Sequence, residues 1–265
     1  MKSKILFLTA IIFACLTASA QDWAKERLNK SPRHGEWVEV KNGSRTVRCF
    51  VVYPQVKDPA PAILVIHEIF GLTDWARGMA DQLAEAGYIA IAPDLLSGMG
   101  EGKGGTSAFS DRDSVMSAVS GLPADQVTGD LNAAADYIKA QPSCNGKLAV
   151  AGFCWGGGQS FRFATDRNDL KAAYVFYGPP PATADMAKIN CPVYGFYGGN
   201  DSRISSTVPK TTKAMKAAEK TYEPVTYAGA GHGFMRSGEQ PDAEAPNRLA
   251  HDDAWLRWKI LLGKL

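Results

Sequence analysis

Three residues in the order Cys154, Asp201 and His232 carry the types that nucleophilic acyl chemistry needs. A thiolate attacks, an adjacent imidazole takes the thiol proton, and a carboxylate fixes the imidazole tautomer and stabilises its charge. The surroundings of each residue are as informative as its type. Cys154 is the middle of Gly152-Phe-Cys-Trp-Gly156, which follows the apolar run Leu148–Ala151 and precedes a segment, Gln159 to Thr165, that can be helical. Strand, sharp turn and helix is the context of a nucleophile elbow, here with cysteine where serine is usual. Its glycines spare the turn from side-chain clashes, and the helix behind aims free N–H groups at the space over Cys154. Asp201 ends Tyr197-Gly-Gly-Asn-Asp201, directly after the apolar run Val193–Tyr197. His232 lies between two glycines after the short run Val225–Tyr227, a poor setting for a core histidine.

These three residues need a frame that brings distant strand ends together. Trp37–Val40 and Thr46–Tyr53, joined at Asn42-Gly43, predict an antiparallel opening hairpin. Ala62–Ile66, Tyr88–Ala92, Leu148–Ala151, Ala172–Tyr177 and Val193–Tyr197 are apolar runs suited to strands buried on both faces. Between them lie helical patterns over 74–86, Asp113–Ser120, Asp125–Ala140 and Thr211–Lys220. A final helix is predicted over Asn247–Leu262, with Leu249, Trp255, Trp258 and Leu261 or Leu262 as its apolar face. Alternating strands and helices predict a mostly parallel central sheet covered by helices on both faces, in one domain over residues 21–265.

The tetrahedral intermediate of acyl transfer carries an oxyanion that needs backbone N–H donors. Trp155, the residue after the nucleophile, supplies one, and the loop His67-Glu68-Ile69-Phe70-Gly71 is placed to supply another. That loop is not a zinc motif, since Gly71 stands where a second histidine ligand would be required. Gly100-Glu-Gly-Lys-Gly-Gly105 fits a dinucleotide fingerprint by letter only. No strand runs into it and no helix begins on it, so it reads as a mobile loop near the site mouth.

At 265 residues, with 45% hydrophobic and 21% charged residues, the chain has the composition of an ordinary globular protein. Its first twenty residues differ. Lys2 and Lys4 precede an apolar run from Ile5 to Leu16, and Ala18-Ser19-Ala20 follows, as in a secretory signal peptide. The run is too short to span a membrane comfortably, and Phe13 disfavours lipid attachment at Cys15. The expectation is an exported protein without an integral membrane span in its mature chain. Without Lys2 and Lys4, 27 of the 29 basic residues remain and balance the 27 acidic ones, which gives no footprint for nucleic acid.

Export permits disulfides. With Cys154 reserved for chemistry, one bridge at most joins two of Cys49, Cys144 and Cys191. Cys144 and Cys191 each precede an apolar strand, so a bridge between them is expected if those strands are neighbours.

The combination Gly152-Phe-Cys154-Trp-Gly-Gly157, His67-Glu68-Ile-Phe-Gly71, Ala92-Pro-Asp-Leu95 and Gly229-Ala-Gly-His232-Gly-Phe resembles the dienelactone hydrolase family, from about Val38 to the C-terminus. The resemblance implies an α/β-hydrolase fold and a Cys154–Asp201–His232 triad. It also implies an oxyanion hole from the Ile69 and Trp155 N–H groups, and a contact between Glu68 and the resting thiol. The family's type substrate carries a carboxylate held by two arginines. Arg236 matches one of them. The other position falls at Leu96-Ser97-Gly98, which leaves the clamp half-built.

The expectation is hydrolysis of a small ester or lactone through an acyl-thioester, with no cofactor or metal, and without strict need for a substrate carboxylate. Two other classes remain open on the sequence: a binding protein that keeps the fold without turnover, and a redox-sensing thiol.

Overall fold

The computed structural model describes residues 22–265; the expected signal peptide and Cys15 lie outside them. Strands are β1 (Gly35–Asn42), β2 (Arg45–Val52), β3 (Ala60–Ile66), β4 (Ile89–Pro93), β5 (Cys144–Phe153), β6 (Ala172–Phe176), β7 (Val193–Gly198) and β8 (Tyr222–Tyr227). Helices are α1 (Asp22–Asn29), α2 (Asp74–Glu85), α3 (Arg112–Ser120), α4 (Ala124–Lys139), α5 (Trp155–Asp166), α6 (Ser202–Ser205), α7 (Val208–Ala217), α8 (Phe234–Ser237) and α9 (Ala245–Leu262). No helix among the described residues is long and apolar enough to cross a membrane.

The strands form one sheet in the order β1-β2-β4-β3-β5-β6-β7-β8. Only β2 runs against its neighbours, β1 and β4, and every other pair is parallel. This is the expected α/β-hydrolase architecture, hairpin included. Successive side chains of a strand point to opposite faces. Ile63 and Val65 of β3 therefore join Trp75, Met79, Leu83 and Trp258 on one side. Ala62, Leu64 and Ile66 join Leu131, Ile138, Phe161 and Met215 on the other. After β3 the chain moves outward to β4, then crosses back to β5 on β3's other side. A crevice opens at the C-terminal ends of strands where the winding reverses in this way.

Several local expectations shift. The hairpin turns at Gly43-Ser44, one residue late: Asn42 still pairs with Arg45 in the ladder, and its side chain donates to the buried Asp130 at 2.9 Å. Helix α5 starts at Trp155, directly behind the elbow, and α7 starts at Val208 with Pro209 in its first turn, a position proline favours. On α9, Leu249 is 65% exposed; Ala250 and Ala254, with Trp258 and Leu261, form the buried face because alanines let the helix approach the sheet.

The glycine-rich segment is tied down at its C-terminal end. Thr106 donates to Asp94 from both its N–H (2.8 Å) and its hydroxyl (2.7 Å), and accepts from the Leu72 N–H at 3.0 Å. The expected Cys144–Cys191 bridge is absent and both thiols are free. Its premise fails in the sheet order, because β6 separates β5 from β7. Two strand spacings, about 9.5 Å, exceed the reach of a disulfide.

Candidate active site

Strand β5 delivers the chain to Cys154, whose backbone takes φ +57° and ψ −116°, a strained conformation for a residue with a Cβ. Close backbone packing on both sides imposes it. A Cβ on Gly152 would stand 1.9 Å from the Gly156 carbonyl oxygen, and one on Gly156 would stand 2.3 Å from the His67 carbonyl oxygen. The elbow is thus jammed against the end of β3, and only glycine fits at either position. Gly156→Ala is expected to cost about 2–4 kcal/mol, the overpacking and strain range, read as a lowered midpoint in urea unfolding.

The loops after β7 and β8 are stitched together: Gly199 N–H donates to the Tyr227 carbonyl at 2.8 Å, and Asn200 N–H to the Ala230 carbonyl at 2.9 Å. That pairing brings Asp201 and His232 side by side. His232 Nδ1 lies 2.5 Å from Asp201 Oδ2, and its Nε2 lies 3.0 Å from Cys154 Sγ. A carboxylate can only accept, so Nδ1 carries the proton and Nε2 presents its lone pair to the thiol. Tyr177, which the sequence reading did not single out, packs its ring edge-to-face with the His232 imidazole at 5.1 Å.

The backbone N–H groups of Trp155 and Ile69 lie near enough to the Cys154 sulfur to favour its thiolate form. Burial pushes the thiol pKa up and the nearby Glu68 charge pushes it further, while those two donors oppose the shift. Glu68 is buried, and burial raises its own pKa against the pull of Arg236, whose Nε donates to Glu68 Oε2 at 2.7 Å. The expected contact between Glu68 and the resting thiol takes a different form: the thiol's side-chain partner is His232, and Glu68's is Arg236. Glu68 acts on the sulfur through its field. A carboxylate enclosed beside a guanidinium gains more from that pairing than from a neutral thiol.

Arg236 lies over the Phe70 ring at 5.3 Å, and Arg112, from the first turn of α3, lies over the same ring at 3.9 Å. Both line a cavity of about 740 Å³ with Phe70, Thr106 and Phe109. Sequence reasoning missed Arg112. It belongs to no motif, and only the path of the 97–111 segment carries it to this cavity.

The dienelactone hydrolase family profile matches residues 47–265. An Escherichia coli (strain K12) protein named "Putative carboxymethylenebutenolidase" is 33% identical over 219 residues, which cover 77% of this chain and 76% of that protein. A Bradyrhizobium sp protein named "Probable 2-oxo-3-(5-oxofuran-2-ylidene)propanoate lactonase" is 27% identical over 244 residues, covering 85% of this chain and 94% of its own. A crystal structure from Klebsiella pneumoniae, described as "Putative Dienelactone Hydrolase", matches with a TM-score of 0.77 at 27% identity, over 88% of this chain and 99% of that one. With the profile covering most of its length, the chain belongs to the dienelactone hydrolase family.

Proposed function

We propose that this hydrolase cleaves a lactone or ester through Cys154 and an acyl-thioester. The observation that carries the reading is the hydrogen-bonded row Cys154 Sγ–His232–Asp201, at 3.0 and 2.5 Å. His232 Nε2 takes the thiol proton as sulfur attacks the acyl carbon, and the carbonyl oxygen becomes an oxyanion held by the Trp155 and Ile69 N–H groups. Collapse expels the alkoxide, which takes the proton from His232; in a lactone it stays tethered to the acyl group. Water then gives a proton to His232 and adds to the thioester, and Cys154 leaves as thiolate and is reprotonated. Intact mass spectrometry during turnover of a slow aryl ester should show the protein heavier by one acyl group on Cys154. Turnover with acylation at another residue, or at none under single-turnover conditions, defeats the reading.

The substrate is proposed to carry an acidic group. Relatives named for carboxymethylenebutenolide and propanoate chemistry support this, and so does the cavity. Glu68 occupies only Nε of Arg236, and Arg112 adds a second guanidinium across Phe70. The half-built clamp therefore has a candidate second arm from a different element. Its exposed position makes it a source of preference rather than of strict dependence. Arg112→Ala is expected to lower kcat/KM for an acid-bearing ester about three- to tenfold, within the range of an ordinary net hydrogen bond, and to leave a neutral ester of equal size unchanged. Equal losses on both esters would remove Arg112 from substrate selection.

Residues 1–20 are proposed as an export signal. The test is N-terminal sequencing of protein recovered from outside the cytoplasm, with Gln21 expected first and Met1 the contrary outcome.

A further inference from the structure

The amide joining Glu68 to Ile69 is one planar unit, so its carbonyl and its N–H point in opposite directions and turn together. The N–H belongs to Ile69, whose backbone favours the Cys154 thiolate. The carbonyl accepts two hydrogen bonds, from His67 Nδ1 at 2.7 Å and from the Gly71 N–H at 3.2 Å. His67 is fully buried. Burial pushes its pKa down, which keeps the ring neutral, and the carbonyl partner assigns its proton to Nδ1. Its Nε2 has no hydrogen-bond partner among the described residues, so Nδ1 provides the ring's one polar attachment there. The imidazole also lies nearly parallel to the indole of Trp155, with centroids 5.7 Å apart and planes at 15°. The Trp155 backbone N–H is the other group that favours the thiolate.

We propose that His67 is a positioning residue for the oxyanion hole. Its Nδ1–H holds the Glu68 carbonyl and so aims the Ile69 N–H, while its stacking on Trp155 couples that aim to the second donor. The inference rests on the oxyanion role proposed above for the two N–H groups. Hydrogen-bond strength falls steeply once a donor is misaligned, and a donor fixed before the reaction needs no reorganisation as charge develops. The Gly71 bond survives loss of His67, so the donor is loosened rather than removed. The expected loss in kcat is about tenfold, below the 10²–10³ that follows complete removal of one donor.

Two variants separate the contributions of His67. His67→Phe keeps an aromatic ring against Trp155 and loses the donor; His67→Asn places an amide N–H near Nδ1 and loses the ring. The Phe variant should lose about tenfold in kcat with KM within twofold, and should bind a trifluoromethyl ketone, whose thiol adduct mimics the tetrahedral intermediate, weaker by the same factor. The Asn variant should recover most of both. If the Phe variant does not fold, His67→Leu, much closer to histidine in volume, asks the same question. Wild-type kcat in the Phe or Leu variant overturns the proposal. So does a loss that Asn fails to restore and that tracks a fall in melting temperature, since packing alone explains that pattern. Failure of the underlying catalytic reading is distinguishable: wild type would then show neither ester turnover nor acylation of Cys154.

Discussion

Cys154→Ala is expected to lower kcat/KM for an activated aryl ester about 10⁴-fold or more, as loss of a nucleophile does elsewhere, while the protein remains folded. Alanine keeps the Cβ and therefore the same strain at φ +57°, so its melting temperature should stay close to that of wild type. Activity surviving in this variant would show that the sulfur is not the nucleophile, whereas a wild type inactive on every activated ester would favour the reading of a fold retained for binding. The thiol's surroundings add a pH signature. Burial, then the Glu68 charge, raise its pKa above the ordinary thiol range, so at neutral pH the resting group is the protonated thiol. Attack then depends on His232 taking the proton. Alkylation of Cys154 by iodoacetamide should climb only above the usual thiol range. Glu68→Gln removes the like charge and leaves the Arg236 cation behind, which pulls the thiol pKa down and should speed alkylation several-fold at pH 8. An unchanged alkylation profile in that variant would show that Glu68 does not restrain the sulfur.

Arg236→Met is expected to destabilise the fold by about 3–5 kcal/mol, because it leaves Glu68 as a buried carboxylate without its partner. The loss should depend on pH in a definite direction. Burial already raises the Glu68 pKa in the folded state, and without Arg236 it rises further. The folded variant then binds a proton more readily than folded wild type, so its deficit relative to wild type grows as pH rises from the wild-type Glu68 range toward the variant's. Urea unfolding at pH 5 and pH 8 should show the smaller deficit at pH 5. Glu68→Gln combined with Arg236→Met removes the stranded charge and should recover most of the stability at pH 8. A double variant no more stable than Arg236→Met alone would locate the cost in lost packing of the arginine over Phe70 instead.

The elbow and both loops carrying Asp201 and His232 were legible because each is a local pattern. An apolar run followed at once by glycines and a polar residue already places that residue at a strand end, and parallel winding sends successive strand ends to one edge. The Glu68–Arg236 pair was not legible as a pair: the resemblance supplied both residues with separate roles, one at the thiol and one at the substrate. Their meeting depends on α8 turning back over the end of β3. Arg112 was invisible for a similar reason, because a glycine-rich stretch of irregular backbone decides where α3 begins in space.

By itself the sequence determined the alternation of strands and helices, the strained turn at Cys154 and the order of the three chemical residues. All of these follow from side-chain periodicity and from where glycine is sterically required. The tertiary structure alone decided which strands are neighbours, and so that Cys144 and Cys191 stay apart across β6. It also decided that Leu249 faces out and that His67 holds the Glu68 carbonyl. Those outcomes depend on which distant surfaces pack together, a choice made by the whole core rather than by any one segment.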